Sequence, residues 1–190
     1  MKSPFYFIVE PFGGRRYDNV KKVGDIDFIT STSQEDHTVS NRYAKVIECP
    51  SGYNGPIKPG NILLVHHNVF KIYYDMQGKE RSGFSFLKDN TFFLESNQFF
   101  MYNNGDAWNT VDDYCFVSPI KNKGEDMFVT DKYIPLMGHI RYNNKKLEDI
   151  GIYEGDMISF TPHSEYEFNV DGETVYRMKV ADIALVAHGS

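Results

Sequence analysis

The sequence predicts an all-β chain made of two small barrels in tandem, and three observations carry that expectation. The apolar content is unusually aromatic, with 15 Phe and 13 Tyr against one Trp in 190 residues, and such side chains pack well on a pleated strand surface. Apolar residues recur in short, often alternating runs separated by Gly, Pro, Asn and Asp, and no long amphipathic helix is legible. The order of runs in the first half of the chain returns in the second.

The clearest stretch is Ile152 to Leu185. A bend at Glu154-Gly155-Asp156 launches the strand Met157-Ile158-Ser159-Phe160, and Tyr166-Glu167-Phe168-Asn169-Val170 follows as a second alternating run. Asp171-Gly172 predicts a tight hairpin, because both central positions of the favoured turn need positive φ. Val175 to Lys179 returns from it, and Asp182 to Val186 closes the chain as a last strand.

From the start, Phe5-Tyr6-Phe7-Ile8-Val9-Glu10-Pro11 is a β-prone run stopped by proline. Residues 12–41 read as a long loop, opening with the basic turn Gly13-Gly14-Arg15-Arg16 and holding the apolar island Ile26-Asp27-Phe28-Ile29-Thr30. Loops of this length inside compact domains are commonly functional or disordered. Strands are expected at Arg42–Cys49 and Val69–Tyr74, with a bend-and-strand unit over Ile57–Val65 between them, a turn at Met76-Gln77-Gly78-Lys79 and shorter runs at Phe84–Leu87, Phe92–Leu94 and Phe99–Tyr102. Asn103-Asn104-Gly105-Asp106 is the expected seam, giving domains 1–105 (with an insertion over 77–90) and 106–190. Beyond it come Tyr114 to Pro119, a polar loop, the island Met127-Phe128-Val129-Thr130, a strand over Gly138–Tyr142 and one helical turn at Leu147–Gly151.

Overlaying the halves makes the repeat explicit. Tyr6 to Pro11 matches Tyr114 to Pro119, Ala44-Lys45-Val46 matches Gly138-His139-Ile140, Ile57 to Leu63 matches Ile152 to Ile158, and Phe92 to Met101 matches Tyr176 to Leu185. Length differences fall between these blocks, in loops. Two lobes in one strand order follow, each a small barrel of about five short strands.

These residues resemble the chaperonin-10 (GroES) co-chaperonin family. The likeness is best in the second lobe: Gly155-Asp156-x-Ile158-x-Phe160, the hairpin Asp171-Gly172-Glu173-x-Val175-Tyr176 and the closing Asp182-Ile183-Ala184-Leu185. In the first lobe Pro59-Gly60-Asn61-Ile62-Leu63-Leu64 matches, with Asn61 where the family usually has Asp. The resemblance implies two tandem GroES-like barrels, as in tandem chloroplast members, and phage-encoded relatives exist. It implies a co-chaperonin that caps a GroEL-like chaperonin ring and assists ATP-dependent protein folding, and a homo-oligomeric ring of its own with edge strands pairing between subunits. The family docks through an apolar segment in a mobile loop. The matching positions are Ile26, Phe28, Ile29 and Thr30 in the first lobe and Met127, Phe128, Val129 and Thr130 in the second. A loop that orders on binding gives weak single contacts, which a ring multiplies by effective concentration. Phe28-Ile29 and Phe128-Val129 read equally as ordinary barrel strand residues.

Other functions fit the sequence less well. A net charge of −6 with dispersed Lys and Arg argues against a nucleic-acid groove, which needs concentrated basic charge. No apolar run approaches the ~20 residues that cross a bilayer, and no charged-then-apolar leader opens the chain, so a cytoplasmic protein is expected, in the host cytoplasm or the virion if phage-encoded. Cys49 and Cys115 lie in apolar runs and read as buried thiols. His66-His67 is the one conspicuous pair, but consecutive strand residues face opposite ways and would not share a metal. Phosphate loops, nucleophile elbows and zinc motifs are lacking, so neither a cofactor nor an enzymatic activity is expected. The competing expectation is a non-enzymatic structural or assembly protein, such as a virion component, built from the same barrels.

Overall fold

The computed structural model describes residues 2–17, 20–23, 26–29, 40–122 and 132–188. The chain divides into two compact units, Met1–Trp108 and Asn109–Ser190. It is β-rich, with one short helix among the described residues.

In the first unit the strands are β1 (Phe7–Pro11), β2 (Val20–Val23), β3 (Ile26–Ile29), β4 (Tyr43–Glu48), β5 (Ile62–Val65), β6 (Ile72–Tyr74), β7 (Glu80–Ser82), β8 (Phe86–Lys88), β9 (Thr91–Leu94) and β10 (Phe99–Asn103), and β11 (Trp108–Thr110) runs across the division. Its principal sheet has the order β11-β10-β5-β4-β1-β9-β8, while β2-β3 and β6-β7 are separate two-stranded hairpins. The second unit contains β12 (Tyr114–Lys121), β13 (Tyr133–Tyr142), α1 (Lys145–Asp149), β14 (Met157–Phe160), β15 (Tyr166–Val170), β16 (Glu173–Lys179) and β17 (Ile183–Ala187), in one sheet of order β15-β16-β12-β13-β14-β17.

The two principal sheets share strand order and register. Val9, Glu10 and Pro11 pair with Val46, Lys45 and Ala44, as Val117, Ser118 and Pro119 pair with Ile140, His139 and Gly138. Even the irregularity recurs, between Ile8 and Val9 in one unit and Phe116 and Val117 in the other. Phe7, Ile8 and Val9 meet Leu94, Phe93 and Phe92, and Cys115, Phe116 and Val117 meet Met178, Arg177 and Tyr176. The β10–β5 and β14–β17 ladders correspond in the same way, each with a shift at the Phe99/Met101 or Ser159/Phe160 step. A slip of one residue would turn every inward side chain outward, so agreement across these ladders reflects one packing solution used twice. The prolines fit it: the ladders to β9 and β16 stop at Val9 and Val117, so Pro11 and Pro119 sit where one flank asks for no N–H.

The turn before β5 and β14 shows how local chemistry builds the repeat. Gly60 and Gly155 have φ of +93° and +92°, a region that suits residues without Cβ. Their N–H groups donate to Val46 and Ile140 carbonyls at 2.7 and 2.8 Å. At the hairpin, Asp171 and Gly172 both have positive φ, and the corresponding turn of the first unit, between β8 and β9, uses Asp89 and Asn90 the same way. Helix α1 is a single turn capped by Asn144, whose side chain accepts from the Leu147 N–H at 2.9 Å and donates to the Tyr114 carbonyl at 2.9 Å, seating Leu147 in the core.

Each unit has its own apolar centre. In the first, Phe7 meets Phe99 edge-on at 5.5 Å and Phe70 meets Phe92 at 4.9 Å, geometries that favour aromatic pairs. In the second, Cys115, Val117, Ile140, Leu147, Ile152, Ile158, Phe160 and Met178 form the buried cluster.

Two features differ from expectation. Residues 12–41 are not one plain loop, since the β2–β3 hairpin lies within them. His66 and His67 do not face opposite ways: β5 ends at Val65, both lie in the turn beyond it, and their rings stack at 4.1 Å and 31°. The alternation argument applies only while the strand continues, and here it stops one residue earlier.

Candidate docking surface

The two apolar islands occupy the same place in the repeat. Residues 26–30 fall in the connection between β1 and β4, and residues 127–130 in that between β12 and β13, whose strands are equivalent by register. In the first connection the backbone of Ile26, Phe28 and Ile29 lies in β3, opposite Val23, Lys21 and Val20 of β2. That hairpin stands outside the principal sheet, so these residues are strand residues but not residues of that sheet. Thr30, Met127, Phe128, Val129 and Thr130 lie outside the described residues.

The first connection leaves from a tightly bonded root. Tyr17 bridges to Ser40, and Asn41 fastens both sides. Its side-chain amide donates to the Phe12 and Arg15 carbonyls at 2.8 and 2.7 Å, its N–H donates to the Arg16 carbonyl at 2.9 Å, and its Oδ1 accepts the Tyr43 N–H at 2.9 Å. Asn41 is buried, so satisfying its polar atoms avoids a desolvation cost of about 1–3 kcal/mol. Arg16 does not project as a phosphate-binding cation. Its guanidinium packs over Phe86 and Phe92 at 5.0 and 4.8 Å and donates to Asn90 Oδ1 and Ser82 Oγ at 3.2 and 3.0 Å.

The second connection leaves from the end of the β12–β13 ladder, where Lys121 pairs with Tyr133 and the Asn122 N–H donates to the Lys132 carbonyl at 3.0 Å. The Tyr133 phenol is held below its ordinary range, first by its hydrogen bond with Thr174 and then by that with Lys132; the Lys132 ammonium lies 5.0 Å from the Tyr133 ring. Thr174 stands at the repeat position of Asn90. A side chain at this register position therefore contacts the root of the long connection in both units, Asn90 from within its hairpin turn to Arg16 and Gly14, and Thr174 from two residues past its own turn to Tyr133.

Sequence reasoning located the islands and missed these roots. Tyr17 and Asn41 sit singly among polar and glycine residues, where only the spacing to β1 and β4 marks them as loop ends.

The Cys115 thiol is pushed up to about 12, mainly by burial and then by the Asp182 carboxylate, and burial also raises the Cys49 thiol. Neither supplies a thiolate nucleophile near neutral pH. Among the described residues, no three His, Cys, Asp or Glu side chains converge on a potential metal position, and no helix is long and apolar enough to cross a membrane. What the arrangement offers is two connections, each rooted in a rigid sheet and each carrying an apolar island. No protein-family model matches the chain, and no curated protein matches it.

Proposed function

We propose that this chain is a co-chaperonin of GroES-like construction, two tandem small barrels that together form part of a ring capping a chaperonin chamber. The observation that carries the reading is positional: the two apolar islands fall in the same β–β connection of two units with matching strand order and register. A repeat conserved in geometry presents the same kind of segment twice, as a multivalent lid requires. ATP would be bound and hydrolysed by the partner, with this chain contributing enclosure and no chemistry of its own.

The sheet edges support ring assembly. Strand β10 is flanked by β5 and β11, whereas its counterpart β17 has, among the described residues, a neighbour only on the β14 side. Met101 on β10 is fully buried, but Leu185, at the equivalent position of β17, is 72% exposed. An exposed apolar edge strand is a template for another strand, and a second copy supplying one would extend the array head to tail until it closes.

The test is a mixing experiment. The chain is incubated with a GroEL-like chaperonin and nucleotide, and co-elution, ATP turnover and refolding of a denatured substrate are followed. The lid reading expects nucleotide-dependent co-elution and altered turnover. Failure to associate with any of several chaperonins, together with co-sedimentation with viral particles, would favour the assembly-protein alternative.

A further inference from the structure

The first unit contains a hairpin, β6–β7, for which the second has no counterpart, since β14 and β15 are joined by five residues only. We infer that this hairpin is a brace for the first connection, so that the root of residues 18–39 and the hairpin open and close as one unit. The bonds run both ways across the junction. The Tyr17 hydroxyl, in a buried position, accepts the N–H of Ile72, the first residue of β6, at 2.9 Å. Arg16 reaches Ser82, the last residue of β7, at 3.0 Å. The two ends of the hairpin are thus tied to consecutive residues of the root, and the Gly83 N–H bonds back to the Lys71 carbonyl at 2.9 Å to close its base. Its far end is stiffened independently: Asp75 Oδ1 accepts the Gln77 and Lys79 N–H groups at 2.9 and 3.0 Å, and Oδ2 receives Arg81 at 3.0 Å.

A two-stranded hairpin alone is marginal in water, so the root stabilises the hairpin. By linkage the hairpin stabilises the root to the same extent. Among the described residues the root of the second connection has no such brace, so the two roots of one chain are unequally supported. That the braced connection carries a docking segment rests on the co-chaperonin reading; the brace itself does not.

Native-state amide exchange on the free full-length chain tests it without any chaperonin. Tyr17→Phe removes one acceptor conservatively, and exchange at Ile72 and across residues 72–82 should accelerate about tenfold. Replacing residues 73–81 by two glycines should accelerate the Asn41 amide, bonded to the Arg16 carbonyl, by a similar factor while leaving Asn122 in the second unit unchanged. If Tyr17→Phe leaves the hairpin amides at their original rates, or the deletion leaves Asn41 at its own, hairpin and root are independent and the inference is overturned. Failure of the unaltered chain to bind a chaperonin, with both exchange effects present, would instead count against the docking reading alone.

Discussion

Asn61 and Asp156 occupy one position of the repeated turn and make one hydrogen bond with different atoms. Asn61 Oδ1 accepts the Lys58 N–H at 2.8 Å, and Asp156 Oδ2 accepts the Tyr153 N–H at 2.9 Å. The amide oxygen therefore replaces the carboxylate without loss of the turn, which accounts for Asn standing where the resembled family usually has Asp. Asp156 carries a further partner, since His188 Nδ1 lies 3.1 Å from the same oxygen. Asn61→Asp should change stability by less than about 0.5 kcal/mol. Asp156→Ala should cost about 1–2 kcal/mol, and Asn61→Ala less, as its site is more open. Urea denaturation of the three variants orders them.

Gly138 and Ala44 face Pro119 and Pro11 in matching registers, but only one site has room for a methyl group. A Cβ on Gly138 would lie 2.3 Å from Val117 Cγ1 and 2.7 Å from the Ser118 carbonyl oxygen. Gly138→Ala should destabilise the second unit by about 1–3 kcal/mol through overpacking. Ala44→Gly should cost about 1–2 kcal/mol, from backbone entropy and from loss of a fully buried methyl group. Thermal unfolding of each variant, read by near-UV dichroism, separates the two costs.

Alkaline titration should reveal Cys115. Its thiol moves from an ordinary 9.0 to about 12 in the folded chain, so between those values the folded state keeps a proton that the unfolded state releases. The associated stability is fully present below pH 9 and is lost as pH rises towards 12, by about 1.4 kcal/mol per pH unit from this group. Tyr53, Tyr142 and Tyr176, all raised chiefly by burial, act in the same direction. Cys115→Ala should flatten the decline between pH 9 and 11 in denaturant midpoints, and a slope unchanged by the substitution would assign the effect to the tyrosines.

The docking proposal makes a separable prediction. Phe28→Ser combined with Ile29→Ser should weaken co-elution with a chaperonin ring about tenfold or more, with far-UV dichroism of the chain preserved. Adding Phe128→Ser and Val129→Ser should abolish co-elution, because avidity falls with each lost contact. Equal binding by the quadruple variant would remove the islands from the interface.

Leu185→Lys tests assembly. A charge at the centre of the β17 edge should block strand pairing between copies and convert a ring to single chains in sedimentation, without altering the unfolding midpoint of the isolated chain by more than about 0.5 kcal/mol.

Much of the architecture was legible because the repeat fixes register as well as order. The matched blocks, Tyr6–Pro11 with Tyr114–Pro119 and Phe92–Met101 with Tyr176–Leu185, hold the residues through which β1 pairs with β9 and β12 with β16 in one register. The Asp171-Gly172 turn was legible for a local reason, its demand for positive φ. Strand β7 was not, since Glu80-Arg81-Ser82 has no apolar alternation and is held as a strand by β6 and by Arg16. Strand β2 was hidden for a similar cause: Lys21 and Lys22 interrupt any period, and pairing with β3 defines it. Trp108 lies in a three-residue strand too short to have a pattern, and only its place beside β10 makes it one. The roots of the connections depend on contacts such as Asn41 with Phe12 and Arg16 with Asn90, which join residues far apart in sequence and leave no periodic trace.

The shared register also creates a hazard for the nascent chain. Strands β4 and β13 offer nearly interchangeable partners to β1 and β12, so a wrong exchange between halves is a trap that tandem repeats commonly face during synthesis. Gly138 limits it from one side, because Ala44 placed opposite Pro119 would bring its methyl group against Val117 and Ser118. A missing side chain here acts as a proofreading mark, raising the energy of the mispaired hybrid while leaving the correct pairing untouched.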